Sequence, residues 1–254
     1  MIEIRELTKM YGKQYALNHL SLTIPEGQIF GFLGHNGAGK STTIKCLTSI
    51  IEPTSGQVLV DGLNLAEHHS EIKKRIGYVP DTPDIFLQLS PKEYWNLIAS
   101  AFALETSEKE RQLETLTRLF DIEGKEYQTI ESFSHGMRQK VIVIGALLST
   151  PDIWILDEPL QGLDPQAAFD LKNLMKAHAA QGKSVIFSTH ALEGAQQLCD
   201  QLAILKAGEL IYSGTVDALL DSAEDQSLES VYLKMVGRQQ EELNRGDDDE
   251  SSTN

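Results

Sequence analysis

The sequence predicts an α/β fold with a block of helices inserted into it, and three observations carry that prediction. The apolar run Ile29-Phe30-Gly31-Phe32-Leu33 leads straight into a glycine-rich stretch, Gly34 to Thr42, and from there into a helix over Ser41 to Ile50, bounded by Pro53. After residue 150, short apolar strand patterns alternate with helical ones. Between about residues 86 and 150, three helical segments succeed one another with no strand pattern between them.

In chain order, residues 2 to 30 are β-rich. Ile2, Ile4, Ala16, Leu17, Leu20, Leu22 and Ile24 form short alternating pieces, with turns at Gly12 and at Pro25-Glu26-Gly27. Tyr11 stands in a turn-like context before the glycine-rich stretch, where an aromatic ring either fills core or offers a stacking platform. Gln57 to Gly62 reads as strand and turn, and Ile76-Gly77-Tyr78-Val79 as a strand ending at Pro80-Asp81. Ser90-Pro91-Lys92-Glu93 combines a capping box with proline at the first helical position, and its helix carries Tyr94, Trp95, Leu97, Ile98 and Phe102. A second box, Ser107 to Glu110, opens a helix through Leu113, Leu116, Leu119 and Phe120, and a third helix begins near Ser134 and runs through Val141, Ile142, Ile144 and Leu147.

The α/β pattern resumes with Asp152 to Glu158, an apolar strand that ends in two carboxylates. Asp164-Pro165 caps a helix with Ala168, Leu171, Leu174 and Met175 on one face. Ser184 to Thr189 is the next strand, ending at His190. A helix to Asp200, a hairpin around Lys206-Ala207-Gly208-Glu209 and an amphipathic helix over Ser227 to Val236 follow, leaving 237–254 as an acidic, polar tail predicted to be disordered.

Composition narrows the function classes. The net charge is −15, which leaves little to neutralise phosphates along a duplex, so nucleic acid is excluded as a partner. The tail holds Arg238 and Arg245 against six acidic residues, and the folded part is acidic as well. No apolar run approaches the roughly 18 residues a membrane-spanning helix needs, and the N-terminus lacks the pattern of a signal peptide. Cys46 and Cys199 are far apart in helical contexts, which predicts a cytoplasmic chain with reduced thiols. His68-His69 has no cluster at metal-ligand spacing and reads as surface.

The chemistry starts at Gly34-His35-Asn36-Gly37-Ala38-Gly39-Lys40-Ser41-Thr42, a glycine, four free positions and then Gly-Lys-Ser. Between a strand and a helix, such a loop turns its backbone N–H groups inward on phosphate oxygens, and the helix N-terminus adds partial positive charge. Lys40 is placed to reach the β- and γ-phosphates and the Ser41 hydroxyl to bind magnesium. Asp157 and Glu158 lie at a strand C-terminus, where open α/β sheets bind ligands. Alternation along a strand sends their side chains to opposite faces, which suits Asp157 to hold magnesium through water and Glu158 to polarise the water that attacks the γ-phosphate. His190 ends a strand on the same predicted edge and is either a surface residue or a γ-phosphate sensor.

Together these positions resemble the nucleotide-binding subunit of an ABC transporter, over roughly Ile2 to Gly237. Gly34 to Thr42 matches that family's Walker A element, Ile153 to Glu158 its Walker B element with the adjoining glutamate, Leu160 to Asp164 the D-loop, His190 the switch histidine and Tyr11 the aromatic A-loop. Phe133-Ser134-His135-Gly136-Met137 stands where the family has Leu-Ser-Gly-Gly-Gln. The resemblance implies a P-loop NTPase core with an N-terminal antiparallel β subdomain and an inserted helical lobe, one ATP-binding domain over 1–236 with its lobe at about 86–150. It implies ATP and Mg2+ as ligands, with contacts from Tyr11, His35, Asn36, Ala38, Thr42 and Asp164 besides the groups above. Ser134 and Gly136 would complete the site of a second ATP-binding subunit, identical or not, in a head-to-tail dimer. That dimer would work from the inner face of the cell membrane on a permease in a separate chain.

Two departures stand out. His135 replaces the first signature glycine, and Asp81 occupies the Q-loop glutamine position, where it either reaches magnesium through water or is structural. The short loop after Pro80 and the ending around Ser227 to Leu233 look most like ATPases of bacterial ABC-2-type export systems; an importer ATPase and a soluble assembly factor are the alternatives. A GTPase switch needs Asn-Lys-X-Asp, and no Asn here is followed by Lys.

Overall fold

A computed structural model describes residues 1–222 and 227–237 of the chain. Two sheets form its frame. The smaller is antiparallel with strand order β2-β1-β4-β5, made of β1 (Ile2–Tyr11), β2 (Gln14–Ile24), β4 (Ser55–Val60) and β5 (Leu63–Asn64). The larger has the order β10-β9-β3-β8-β7-β6. Its strands β3 (Ile29–Leu33), β6 (Ile76–Val79), β7 (Ile153–Leu156), β8 (Ser184–Thr189) and β9 (Gln201–Lys206) pair in parallel, and β10 (Glu209–Thr215) returns antiparallel along β9.

Both faces of the larger sheet are buried, which is why its strands read as continuous apolar runs. Phe30, Phe32, Ile153, Ile155, Ile186, Ala203 and Leu205 face one core, shared with Ile2, Ile4, Leu20 and Ile24 of the smaller sheet and with Ile44 and Leu47 of helix α1 (Lys40–Leu47). The alternate residues Trp154, Leu156, Val185, Phe187, Leu202 and Ile204 face a second core. Helices α3 (Pro91–Ala101), α4 (Thr106–Leu119), α5 (His135–Leu148) and α6 (Pro165–Ala180) supply that core, through Trp95, Leu116, Ile142, Ile144, Leu171 and Met175. The Trp95 indole N–H is satisfied inside it, donating to Val141 O at 3.0 Å. Helices α2 (His69–Lys73), α7 (Leu192–Leu198), α8 (Val216–Ser222) and α9 (228–237) are the other α-helices among the described residues.

Capping chemistry sets several boundaries. Ser90 and Glu93 form the expected reciprocal box at α3, with Ser90 N–H donating to Glu93 Oε2 at 2.8 Å. Ser134 caps α5 and Asp164 caps α6. The box expected at Ser107 does not form. α4 starts two residues earlier with Glu105 at the cap position, so Ser107 is already helical and Glu108 pairs with Arg111 at 2.6 Å instead.

α1 ends at Leu47 rather than at Ile50, because Ser49 turns left-handed with φ 51°. The buried stripe of α6 is Ala167, Leu171, Met175 and His178, with Ala168 and Leu174 only half-buried on its flank. The last helix includes Gly237, which the sequence assigned to the tail; the remainder of that tail, 238–254, lies outside the described residues. Among the described residues, no helix is long and apolar enough to cross a membrane.

Candidate functional site

β3 delivers the glycine-rich stretch to the C-terminal edge of the larger sheet, between β8 and β9. Gly39 caps α1 at φ 109°, and a Cβ there would sit 2.9 Å from both Ala16 O and Leu17 Cδ2, so both backbone angle and space demand glycine. No side chain caps the helix and its first turn holds no acidic residue. The N–H groups of that turn are therefore free for an anion, and the helix dipole favours one. Lys40 is only 5% exposed, and its ammonium donates to Gly34 O at 2.7 Å and to His35 O at 3.3 Å. The loop thus folds around its own lysine and presents the charge at the floor of a cleft of about 520 Å3.

Asp157 and Glu158 lie just past the end of β7, and this corrects the expectation of two strand residues with opposed side chains. Glu158 takes a left-handed backbone, φ 48°, which removes the alternation. Asp157 is fully buried; its Oδ1 accepts hydrogen bonds from Ser41 Oγ at 3.0 Å and from Ser188 Oγ, while Oδ2 has no partner. Burial pushes the Asp157 pKa above the usual carboxylate range, the hydrogen bonds from Ser188 and Ser41 oppose this, and the charges of Asp81 and Glu158 add to it.

Ser188 is the residue that the sequence reading missed. It is fully buried on β8, donates to Asp157 and accepts the Glu158 N–H at 2.9 Å, so one hydroxyl holds both acidic residues. The Glu158 side chain is flanked on both sides: Lys40 Nζ lies 3.4 Å from Oε1 and His190 Nδ1 lies 3.0 Å from Oε2. Glu158 Oε1 makes no hydrogen bond, so it keeps a free acceptor beside the lysine.

The cleft gathers most of the residues singled out from the sequence. Tyr11, Asn36 to Thr42, Asp81, Glu158 and His190 all line it, joined by Gln14, Tyr15, Ala16 and Gln161. Tyr11 closes β1 with 56% of its surface exposed and Lys9 Nζ 5.3 Å from its ring centroid, a geometry suited to stacking a flat ring from the other side. Ser134, Gly136 and Asp164 are not among the lining residues. They sit at the N-terminal ends of α5 and α6, where Ser134 is exposed and Gly136 half-exposed.

The donor set fits a magnesium ion. The unpartnered, buried Asp157 Oδ2 beside the Ser41 hydroxyl is the kind of oxygen that accepts a metal-bound water. Among the described residues no three His, Cys, Asp or Glu side chains converge as a closed metal cage. Magnesium does not ask for one, since it takes one or two protein oxygens and completes its shell from phosphate and water.

Comparison with known proteins agrees with this geometry. Residues 17–161 match the family profile described as ABC transporter. The chain is 34% identical to the ABC-type transporter ATP-binding protein EcsA of Bacillus subtilis (strain 168), over 93% of this chain and 96% of that protein. It is 37% identical to the bacitracin transport ATP-binding protein BcrA of Bacillus licheniformis, over 83% of this chain and 68% of that one. A solved structure described as the ATP-binding subunit of an ABC transporter superposes with a TM-score of 0.87 at 34% identity, covering 93% of this chain and 99% of that chain. A bacterial ABC transporter cassette described as dimeric superposes with a TM-score of 0.77 at 25% identity, covering 85% and 99%.

Proposed function

The chain belongs to the ABC transporter family as an ATP-binding, ATP-hydrolysing subunit, and from that premise we propose that it drives export through a membrane-spanning permease in a separate chain. The observation that carries the reading is a division of labour in the geometry. One cleft holds the glycine loop, Lys40, Glu158 and His190, while the serine-led tip of α5 stands outside it with Ser134 exposed. The N-terminus of a helix is an anion site, here with only the Met137 N–H held by the Ser134 cap, and its anion is the γ-phosphate bound by a second ATP-binding subunit. Two chains placed head to tail therefore complete two sites, as the dimeric description of one structural relative supports.

In each site the loop amides and Lys40 hold the phosphates, and the ring of Tyr11 takes the adenine. Magnesium held by Ser41 and Asp157, with Asp81 alongside, would neutralise phosphate charge. Glu158 accepts the proton of the attacking water. His190, at hydrogen-bond distance from Glu158, fixes the orientation of that carboxylate and marks the presence of the γ-phosphate. Hydrolysis removes the ligand that bridges the chains, so the dimer loosens and the motion passes to the permease at the inner face of the membrane. The export direction is supported by relatives named for bacitracin transport and Nod factor export.

Glu158→Gln tests the core of this reading. The variant should bind ATP, lose about 10²- to 10⁴-fold in hydrolysis, and form an ATP-dependent dimer visible by light scattering. A variant that stays monomeric and hydrolyses at the unaltered rate would refute it. Co-purification with a polytopic membrane protein tests the partnership, and cells lacking the chain should become sensitive to an exported peptide or lipid-like compound without losing nutrient uptake.

A further inference from the structure

His135 stands where the family carries a glycine, and the structure shows what its ring touches. Gly162 adopts φ 75°, and a Cβ built on it would fall 2.5 Å from His135 Cδ2 and 3.3 Å from Nε2. The imidazole therefore lies edge-on over the Gly162 Cα, in the room that any other side chain at that position would take. The next residue makes the reciprocal approach: a Cβ on Gly136 would meet Gly162 O at 2.5 Å. One turn further along α5, Lys140 Nζ pairs with Asp164 Oδ2 at 2.9 Å, while Asp164 Oδ1 accepts the Ala167 N–H at 2.9 Å and caps α6. Three consecutive contacts thus bind the first turns of α5 to residues 162–164.

The same segment leads back to the hydrolytic carboxylate. Gln161 N–H donates to Glu158 O at 3.1 Å, closing residues 158–161 into a turn that begins at the left-handed Glu158. Gly162 is the next residue. A path of backbone and ring contacts therefore runs from Ser134, through His135 and Gly162, to Glu158. All of it lies inside one chain, whereas Ser134 and Glu158 serve different nucleotides if the head-to-tail reading holds.

We propose that His135 is a positioning residue, whose ring seats Gly162 so that the tip of α5 and the Glu158 turn move as one body and the state of one nucleotide site sets the carboxylate of the other. This inference rests on the head-to-tail dimer. It makes the departure from glycine a coupling device rather than a tolerated substitution. The partner's phosphate pulls on Ser134; the ring carries that shift to Gly162; the turn carries it to Glu158.

The test uses the full chain with His135→Ala and His135→Phe, the latter restoring an aromatic ring without an ionisable group. His135→Ala should bind a fluorescent ATP analogue with affinity within about twofold of the parent chain, since the glycine loop is untouched. It should lose about tenfold in kcat, the size expected when a reacting group is displaced by part of an ångström, and its dependence on ATP concentration should become non-cooperative. His135→Phe should recover most of the kcat and the cooperativity. Gly162→Ala should be impaired in the parent and relieved in part in the His135→Ala background, because the 2.5 Å clash is with the ring while the strain of the left-handed backbone stays. Parent-like kcat and cooperativity in His135→Ala, or no recovery with Phe, would overturn the role of His135 while the Glu158→Gln dimer still forms. Absence of that dimer would instead overturn the head-to-tail reading beneath it.

Discussion

Ser188→Ala separates a structural account of the site from a list of its residues. The hydroxyl donates to the fully buried Asp157 and accepts the Glu158 N–H at 2.9 Å. Replacing it with a methyl removes a hydrogen bond to a carboxylate, worth about 1.5–3 kcal/mol, and strands a partly buried N–H at about 1–2 kcal/mol more. The total of about 2.5–5 kcal/mol corresponds to a fall of roughly 5–20 °C in Tm for a chain of this size. Activity should fall too, because the N–H bond anchors the left-handed Glu158 and its loss lets the carboxylate drift; about tenfold in kcat, with little change in KM for ATP, is the expected cost. The assays are thermal unfolding without nucleotide and steady-state phosphate release. A variant whose Tm stays within about 2 °C of the parent and whose kcat is unchanged would show that Ser188 anchors neither residue, and the reasoning from its two hydrogen bonds would be wrong.

Three further outcomes follow from the same geometry. Tyr11→Ala should raise KM for ATP about tenfold with kcat preserved, as loss of base stacking is worth about 1–3 kcal/mol, and Tyr11→Trp should restore it; an unaltered KM would remove Tyr11 from the adenine site. Gly39→Ala forces a Cβ against Ala16 O and Leu17 Cδ2 at 2.9 Å; it should destabilise the chain by about 2 kcal/mol and abolish the rise in Tm on adding ATP, a rise whose survival would refute the cradle. His178, 7% exposed and pushed by burial down to about 4 from 6.5, stays neutral in the folded chain over a range where the unfolded chain takes up a proton. Acid therefore favours unfolding as pH falls from about 6.5 to 4, by about 2–3 kcal/mol in all. His178→Phe should flatten the slope of Tm against pH across that window, and an unchanged slope would locate the acid sensitivity elsewhere.

Local chemistry made much of the molecule legible. The glycine loop announced itself because its spacing and both of its flanks are read from adjacent residues; Ser90 and Asp164 each cap the helix that they were expected to cap, and α5 begins beside Ser134 as expected. Ser107 failed because helix starts two residues apart differ by too little for sequence alone to choose between them, and the start taken, at Glu105, uses no side-chain cap at all. The Glu158 backbone was illegible for a different reason: a left-handed non-glycine residue is held by its surroundings, here the Ser188 hydroxyl from another strand. Ser188 itself carried no signal, since a serine inside an apolar run reads as a strand residue until the order β3-β8-β7 sets it beside Asp157 and Glu158. His135 was visible as a departure, but its contact with Gly162 spans 27 positions and belongs to tertiary structure alone.

The hairpin turn between β9 and β10 has a consequence for biosynthesis. Its Gly208 N–H donates to Ala38 O at 3.0 Å, and its carbonyl accepts the Asn18 N–H at 2.9 Å, so the glycine loop is pinned from a point some 170 residues downstream. Both neighbours of β3 also come from the late part of the chain, β8 and β9. On the ribosome, then, the loop emerges early yet waits for nearly the whole nascent chain before it has walls. ATP can reward only the finished cassette, and a truncated translation product ending before that turn gains nothing from the cell's nucleotide.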